Sequence, residues 1–363
     1  ARNTVYGLCK MAHKRKNKIP TFEQREYKYA HRVAEAEQAG MTLKDYMKGK
    51  PRWGNLHGHS EFSLLDGGAK IKDIMDKVKA MGQDFVAITD HGSMFGAVKA
   101  HAYAHKIGIK HIVGCELYLT PVGKSRFDKD FKRGERAYHH LVVLAKNEVG
   151  YRNLCQLTSL GYEEGFYRSP RIDRELLERH KEGLIVTSSC IGGSIPMNAV
   201  EGEFYKAEKD LEWMGTTFGD DFYIEIQDHG TEIEDRGFTY MREVAQKHGL
   251  QLVATTDAHY LDEQDGQVHD ALICIGTGQF VDDADRKFKF EGSGFHYHAQ
   301  EEMEALFPHE QDAIYTAGEI ADKIDDQVID FNAKTKMPVF EVPEDSEYQA
   351  WKREGGYSSW LLN

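Results

Sequence analysis

The segment Phe85-Val-Ala-Ile-Thr-Asp-His-Gly joins four consecutive apolar residues to a polar pair, Asp90 and His91. A short apolar run of this kind is typical of a strand that is covered on both faces, as in the parallel sheet of an α/β protein. An amphipathic helix is predicted directly before it, because apolar residues recur there about every 3.6 residues. These residues are Ile71, Ile74, Met75, Val78 and Met81.

Six further apolar runs alternate with helical patterns along the chain, so the sequence predicts successive βα units around a parallel sheet. Seven such units favour an α/β fold built as a closed or nearly closed β/α barrel. A doubly wound open sheet is the alternative. The seven predicted strands are Gly54–His57, Phe85–Thr89, His111–Leu119, Leu141–Ala145, Leu184–Ser188, Phe222–Ile226 and Leu252–Thr256.

Side chains that bind metal ions stand at the ends of most of these predicted strands. In a β/α barrel, residues just past the carboxyl ends of the strands meet at one rim. A single His or Asp at a strand end is usually a turn or cap residue, but five or more strands that deliver such residues to one rim indicate a common site. The residues are His57, His59, Asp66, Asp90, His91, Glu116, His139, His140, Cys190, Asp257 and His259.

This set is larger than one tetrahedral zinc ion needs, and it therefore predicts two or three divalent ions. Closely spaced ions make hydroxide available near neutral pH and neutralise the oxygens of a phosphoryl group. Imidazole and thiolate ligands favour zinc, or zinc mixed with manganese, over an all-magnesium site. We therefore expect a phosphoesterase in which Asp257, Glu116 and His91 are the catalytic residues.

The composition is that of a folded globular protein, since 40% of the 363 residues are hydrophobic and 11% are aromatic. No run of about 18 apolar residues occurs, so no membrane-spanning helix is expected. The N-terminus carries no apolar signal segment, and a cytoplasmic location is expected. The five cysteines, at positions 9, 115, 155, 190 and 274, are odd in number and scattered, which predicts reduced thiols.

The net charge of −13 is unevenly distributed along the chain. Residues 1–52 contain 13 Lys and Arg against 5 Asp and Glu, whereas the rest contains 33 against 54. A basic arm of this kind either contacts nucleic acid or forms a solvated helical extension. The predicted domains are a basic helical extension (residues 1–52), the barrel (residues 53–299) and a helical segment with a linker (residues 300–363).

Helices are predicted outside the barrel at both ends of the chain. In the extension, a helix is expected over Phe22–Ala39, ended by Gly40, and Thr42 is expected to cap a second, short helix. Beyond the barrel, helices are expected over Gln300–Phe307 and Gln311–Ile324.

The ligand residues lie in motifs that resemble the polymerase and histidinol phosphatase (PHP) domain. The resemblance is closer to the PHP domain at the N-terminus of bacterial or phage DNA polymerase III alpha subunits, and it runs from about Asn55 to about Pro343. The motifs are Leu56-His-Gly-His-Ser-Glu-Phe-Ser-Leu-Leu-Asp-Gly, Ala87-Ile-Thr-Asp-His-Gly, Gly114-Cys-Glu-Leu-Tyr, His140-Leu-Val-Val-Leu-Ala-Lys-Asn and Thr256-Asp-Ala-His-Tyr.

The resemblance implies a distorted seven-stranded barrel with a trinuclear metal centre. The three divalent ions are expected to be zinc, with manganese or magnesium as alternatives. The family pattern selects His140 over His139, and it makes Asp90 an orienter of a neighbouring imidazole and not a ligand. The implied ligands are His57, His59, Asp66, His91, Glu116, His140, Cys190, Asp257 and His259.

The activity that the resemblance implies is 3′–5′ exonuclease proofreading on a single-stranded 3′ end of DNA. The rest of a polymerase and a sliding clamp are then expected partners. The chain stops at Asn363, before a polymerase's own catalytic aspartates would occur, so it is expected to be either a piece of a polymerase or a stand-alone PHP protein. The linker-like segment Pro338–Pro343 favours the first.

Substrate contacts are predicted at three positions. A basic loop, Pro121–Arg136, would bring Lys124 and Arg126 to the phosphates of DNA, and His229 follows the sixth strand on the same rim. Two other functions stay open at this level. One is a catalytically silent, metal-stabilised scaffold, and the other is a small-molecule phosphatase of the histidinol phosphatase type.

Overall fold

The structure is a computed structural model that describes residue 32, residues 34–64 and residues 66–331. It contains eight regular strands within these residues. They are β1 (Phe85–Ile88), β2 (Lys110–Leu119), β3 (His139–Ala145), β4 (Phe166–Tyr167), β5 (Ser169–Ile172), β6 (Leu184–Thr187), β7 (Phe222–Ile226) and β8 (Leu252–Ala254).

Helices surround these strands, and the described residues contain eleven of them with named bounds. They are α1 (Leu43–Met47), α2 (Ile71–Ala80), α3 (Ala97–Ile107), α4 (Glu148–Glu163), α5 (Arg174–Arg179), α6 (Ser194–Val200), α7 (Phe204–Phe218), α8 (Glu232–His248), α9 (Gly266–Thr277), α10 (Gln300–Leu306) and α11 (Gln311–Lys323).

The strands curve into a distorted barrel in the order β1, β2, β3, β6, β7, β8, and β4 and β5 form a small hairpin beside β2. The predicted first strand, Gly54–His57, is not a regular strand. Its neighbourhood nevertheless closes the ring, because Ala87 N donates to Asn55 O at 2.8 Å and His59 N donates to Ala258 O at 2.7 Å. The predicted distorted seven-stranded β/α barrel is thus confirmed.

The prediction of an all-parallel sheet is wrong at β3, which runs antiparallel to both β2 and β6. The connection between β2 and β3, residues 120–138, contains no helix. Parallel neighbours need a long crossover, usually a helix, whereas an irregular connection allows the chain to turn straight back. The reversal has a consequence for the site: the first residues of β3 lie at the rim where the parallel strands end.

The segments outside the barrel agree with the predictions where they are described. Thr42 caps α1 by accepting a hydrogen bond from Asp45 N at 3.2 Å. Most of the predicted helix Phe22–Ala39 lies outside the described residues, but residues 34–38 are helical and Gly40 follows with a φ of 66°. The linker-like segment Pro338–Pro343 also lies outside them.

Helices α10 and α11 pack on the barrel and do not form a separate body. Their apolar residues Met303, Ile314 and Ile320 belong to the same buried cluster as the strands. One compact unit extends to Ile329, and only residues 330 and 331 are described beyond it. The division of the chain at residues 52 and 299 stays a prediction. Within the described part of the chain, no helix is long and apolar enough to cross a membrane.

Arg52 joins the segment before the barrel to the start of β1 and to α11. Its guanidinium lies 3.0 Å from Asp84 Oδ2 and 2.7 Å from Asp322 Oδ1. Arg52 and Asp84 are 3% and 2% exposed. Burial raises the pKa of Asp84 to about 6, although Arg52 opposes that shift. Arg52 is therefore the charge that makes burial of this carboxylate tolerable.

Arg52→Ala is expected to lower the free energy of unfolding by about 3–5 kcal/mol, because it leaves Asp84 buried without its cation. Arg152→Ala is the matched control, since Arg152 forms an exposed pair with Glu148 on α4. Its removal should cost less than about 0.5 kcal/mol. Urea denaturation of both variants measures the difference, and equal losses would contradict this role for Arg52.

Candidate metal centre

All nine predicted ligands come together at one rim of the barrel. His57 and His59 lie in the closing segment, His91 follows β1, Glu116 is in β2, His140 opens β3, Cys190 follows β6, and Asp257 and His259 follow β8. Asp66 comes from the loop before α2. Three groups bring their ligand atoms within 4.8 Å of one another: His57, His59, Glu116 and Asp257; Glu116, His140 and Cys190; and His59, His91 and His259.

Glu116 is the central residue of the cluster and is fully buried. Its Oε1 atom lies 2.8 Å from His140 Nδ1 and 3.6 Å from Cys190 Sγ. Its Oε2 atom lies 2.8 Å from His91 Nδ1 and 3.4 Å from His59 Nε2. The two oxygens of one carboxylate therefore face different ligands, and Glu116 could contribute to more than one metal site.

Asp257 is the second carboxylate of the cluster. Its Oδ1 atom lies 3.2 Å from His57 Nε2 and 3.1 Å from His59 Nε2. The residue has a φ of 44°, a left-handed conformation that costs energy for a side chain other than glycine. The structure thus holds Asp257 in a strained conformation at the position where it faces two imidazoles.

Asp66 lies at another edge of the cluster. Its carboxylate is 2.9 Å from His259 Nε2 and 3.2 Å from His91 Nε2. The loop that carries it requires glycine at position 67, because a Cβ there would lie 1.8 Å from Ser60 O. Close packing of two backbone segments therefore places Asp66 beside the imidazoles.

The ligands of the cluster differ in their exposure to solvent. The side chains of His57 and His59 are inaccessible, and that of Glu116 is 1% exposed. In contrast, the side chain of His140 is 27% exposed and that of Asp66 is 25% exposed. A substrate would therefore reach the centre past His140 and Asp66.

The charges of the cluster compensate one another without any ion. Burial by itself raises the pKa of Glu116, but the imidazoles of His140, His57 and His91 outweigh it and hold that pKa well below its usual value. Burial by itself lowers the pKa of His57, but Asp257, Glu225 and Glu116 outweigh it and raise that pKa well above its usual value. The imidazoles and carboxylates of the cluster thus stabilise one another's charged forms at His57 and Glu116.

The cluster also fits bound cations because several of its buried atoms face one another at ion-pair distance without forming hydrogen bonds. Among the described residues, five buried ligand atoms accept or donate no hydrogen bond, although each points towards other members of the cluster. A buried polar atom without a partner is costly in a folded protein unless a ligand satisfies it. These atoms are His57 Nε2, Asp66 Oδ1, His91 Nδ1, Glu116 Oε2 and His259 Nε2.

A carboxylate that the sequence analysis missed orients His57. Glu225 in β7 is fully buried, and its Oε1 atom lies 2.7 Å from His57 Nδ1. Thr187, Gln227 and Thr255 donate hydrogen bonds to the same carboxylate. A glutamate inside the apolar strand Phe222–Ile226 was a signal for such a role, since a buried charge needs a partner.

Asp90 acts on an imidazole indirectly. Its Oδ1 atom accepts a hydrogen bond from Ser63 Oγ at 3.0 Å, and Ser63 Oγ lies 2.8 Å from His59 Nδ1. The predicted orienting role of Asp90 therefore operates through the hydroxyl of Ser63, which the sequence analysis did not single out.

Glu225→Gln is expected to weaken divalent metal binding about 10- to 100-fold, because a carboxylate on the far nitrogen of a ligating imidazole fixes its orientation and raises its basicity. Glu234→Gln is a matched control. Glu234 holds His229 in the same way, at 2.6 Å, and His229 is outside the ligand groups. Titration with Zn²⁺ or Mn²⁺ measures the affinity, and equal effects of the two variants would exclude this role for Glu225.

Two of the three residues predicted to contact substrate interact with other residues of the chain instead. Arg126 is 5% exposed, and it forms ion pairs with Asp173 at 3.0 Å and with Glu164 at 2.7 Å. His229 is 3% exposed, and its ring nitrogens contact Glu234 Oε1 and Thr256 O. Neither side chain presents a free group to a phosphate, so both predictions are corrected.

Two other predictions concern Lys124 and the choice between His139 and His140. Lys124 is only partly exposed and lies 3.3 Å from Glu135, so its charge is already paired. His139 and His140 lie on opposite faces of β3, because side chains alternate along a strand. His139 is buried away from the ligand groups, whereas His140 lies in one of them. The choice of His140 agrees with this placement.

The sequence of this chain is similar to those of several known proteins. Residues 55–229 match the family model described as the PHP domain. DNA polymerase III subunit alpha of Borreliella burgdorferi is 42% identical over 297 residues, which are 82% of this chain and 26% of that protein. The corresponding subunit of Treponema pallidum is 40% identical over 292 residues, which are 80% of this chain and 24% of that protein.

Solved structures also resemble the chain, at lower similarity. A putative metal-dependent phosphoesterase from Bifidobacterium adolescentis has 13% identity and a TM-score of 0.35, and the match covers 57% of this chain and 88% of that one. An amidohydrolase from Chromobacterium violaceum has 16% identity and a TM-score of 0.33, with 57% and 87% covered.

The chain spans about a quarter of the length of the curated relatives it matches. The match to them nevertheless covers about four fifths of the chain. Residues 55–229 of this chain therefore belong to the PHP domain family, and the chain is similar to bacterial DNA polymerase III alpha subunits over about four fifths of its length.

Proposed function

We propose that this centre is a metal-dependent phosphodiesterase that removes nucleotides from the 3′ end of single-stranded DNA. The observation that carries the proposal is the meeting of nine ligand side chains at one rim, with the buried carboxylate of Glu116 shared by two of their groups. The chain provides imidazoles, carboxylates and a thiol in three overlapping groups. Three divalent ions would occupy them, with Asp66 completing the group of His91 and His259.

The donor atoms indicate which ions would bind. Imidazole and thiolate donors suit zinc, and the carboxylates also accept manganese or magnesium. Burial, reinforced by the charge of Glu116, raises the pKa of the Cys190 thiol well above its usual value. A cation at this position is needed to stabilise the thiolate, because a thiol binds a metal ion only after it loses its proton.

When bound, divalent ions supply a nucleophile at neutral pH and neutralise the charge of a phosphate. The residues of the chain set the geometry for this chemistry. Glu116 and Asp257 keep two negative charges between the imidazoles, and Glu225 fixes the ring of His57. His91 stands between Glu116 and Asp66, close to the opening, where the scissile phosphate would lie.

DNA is the substrate that the relatives suggest, since they are subunits of DNA polymerases. The connection between β2 and β3 supports this choice, although through other residues than Lys124 and Arg126. Its side chains Lys129, Lys132 and Arg133 form no ion pair with the described residues, so their charges are available to phosphates. The rest of a polymerase and a sliding clamp are the partners that we propose with this substrate.

Incubation with single-stranded DNA labelled near its 3′ end and Zn²⁺ or Mn²⁺ tests the proposal. The unmodified protein is expected to release single nucleotides, whereas Asp257→Asn should not. Asparagine tolerates the left-handed backbone at this position, so the variant isolates the loss of charge. Asp228→Asn, an exposed carboxylate outside the ligand groups, is the control and should keep full activity.

The same experiment separates the nuclease from a structural role. Metal binding contributes to folding, so a filled centre alone does not prove turnover. Bound metal with no release of nucleotides by the unmodified protein would replace the proposal by the metal-stabilised scaffold. Hydrolysis of small phosphate monoesters in preference to DNA would replace it by a small-molecule phosphatase.

A further inference from the structure

Two tyrosines that no part of the proposed centre uses lie beside its opening. Tyr118 is near the end of β2, and Tyr138 directly precedes β3. Both are partly exposed, in contrast to their neighbours Leu119, Ala137 and His139, which are buried. The two residues therefore flank the connection that carries Lys129, Lys132 and Arg133.

The two rings contact each other and two of the ligands. The ring centroids of Tyr118 and Tyr138 are 4.7 Å apart in an edge-to-face arrangement. The ring of Tyr138 is nearly parallel to that of His140, with an interplanar angle of 10°. The ring of Tyr118 lies 6.2 Å from that of His91. Aromatic surface thus adjoins the most exposed ligand.

The hydroxyl groups of these tyrosines are not used to hold the fold. Neither forms a hydrogen bond with another described residue. Both tyrosines are partly exposed, and the ring of Tyr138 lies parallel to that of His140, the most exposed of the nine ligands.

We propose that Tyr118 and Tyr138 form a stacking surface for the terminal bases of a single-stranded nucleic acid, and that this surface makes the centre prefer a strand with bases at its 3′ end. The inference rests on the proposed function, because it names what enters the same opening. Stacking of bases on aromatic side chains tolerates any sequence, and phosphates of the same strand would meet Lys129, Lys132 and Arg133.

Equilibrium binding of two matched oligonucleotides tests the inference. Both are fluorescein-labelled oligothymidylates with 3′ phosphorothioate linkages, which resist hydrolysis, and one lacks the last two bases. In the presence of Mn²⁺, the unmodified protein should bind the complete strand about 10-fold more tightly or better, since each stacked base contributes a factor of this order.

Variants of the tyrosines then show whether these rings cause the preference. Tyr138→Leu and Tyr118→Leu are expected to bring the ratio of the two dissociation constants close to one. Tyr138→Phe keeps the aromatic face and should retain the preference. Tyr205→Leu is the matched control, because Tyr205 is 73% exposed on α7, which contributes no ligand.

Each outcome decides the inference separately from the nuclease proposal. A ratio near one for the unmodified protein, absent binding of both strands, or an unchanged ratio in both leucine variants would overturn the stacking surface. A preference that depends on the tyrosines, without any release of nucleotides from ordinary DNA, would keep the stacking surface and reject the nuclease. Release of nucleotides from ordinary DNA, without a preference for the complete strand, would keep the nuclease and reject the stacking surface.

Discussion

Replacement of Glu116 by glutamine is expected to reduce hydrolysis of single-stranded DNA by about 1000-fold or more. Glutamine keeps the shape of the side chain but removes the charge that faces His57, His91 and His140. Loss of a group that holds metal ions in place removes several kcal/mol of stabilisation from the transition state, and about 4 kcal/mol corresponds to that factor.

Elemental analysis of the variant shows whether activity is lost because metal ions are lost or because a catalytic step is slowed while the metal stays bound. Glu116 belongs to two of the three ligand groups, so Glu116→Gln should lose more than one ion per chain. Glu225→Gln, which alters only the orientation of His57, is expected to lose far less activity at saturating metal. Full metal content and full activity in Glu116→Gln would contradict a contribution of Glu116 to more than one metal site.

Removal of metal ions with a chelator is expected to lower the melting temperature by about 10 °C. Three ions, each present at about 100 times its dissociation constant, would contribute about 8 kcal/mol. For a chain of this size, 1 kcal/mol corresponds to about 1.3 °C. The buried ligand atoms that lack hydrogen bonds give the physical reason, because cations would satisfy them.

Differential scanning calorimetry in EDTA and in excess Zn²⁺ or Mn²⁺ measures this shift. Asp257→Asn gives a matched control, since removal of one carboxylate should reduce the shift without changing the rest of the fold. A melting temperature that is the same with and without metal, in protein shown by elemental analysis to bind it, would mean that the cluster is stable through its own ion pairs.

The residues that form the centre could be recognised from the sequence because their chemistry is local. Motifs such as His57-Gly-His and Asp257-Ala-His place ligands directly after apolar runs, and apolar runs predict strands. The parallel-barrel rule then brings strand ends to one rim, and this rule holds for His91, Glu116 and Asp257.

Other features depend on partners that are distant in sequence. Arg126 is a basic residue in a basic loop, but Asp173 and Glu164 neutralise it from elsewhere in the chain. His229 lies on the expected rim, but Glu234 and the backbone of Thr256 occupy both of its nitrogens. A pattern of residue types does not reveal which side chains already form ion pairs or hydrogen bonds with distant parts of the chain.

The sequence by itself predicted which side chains meet at the rim and that an α/β barrel carries them, because ligand motifs and apolar periodicity are properties of neighbouring residues. Only the tertiary structure decided the direction of β3, the use of Glu225 to orient His57 and the placement of Tyr118 and Tyr138 at the opening. Each of these depends on which segments pack together, and contacts between distant segments follow from the packing of the whole core.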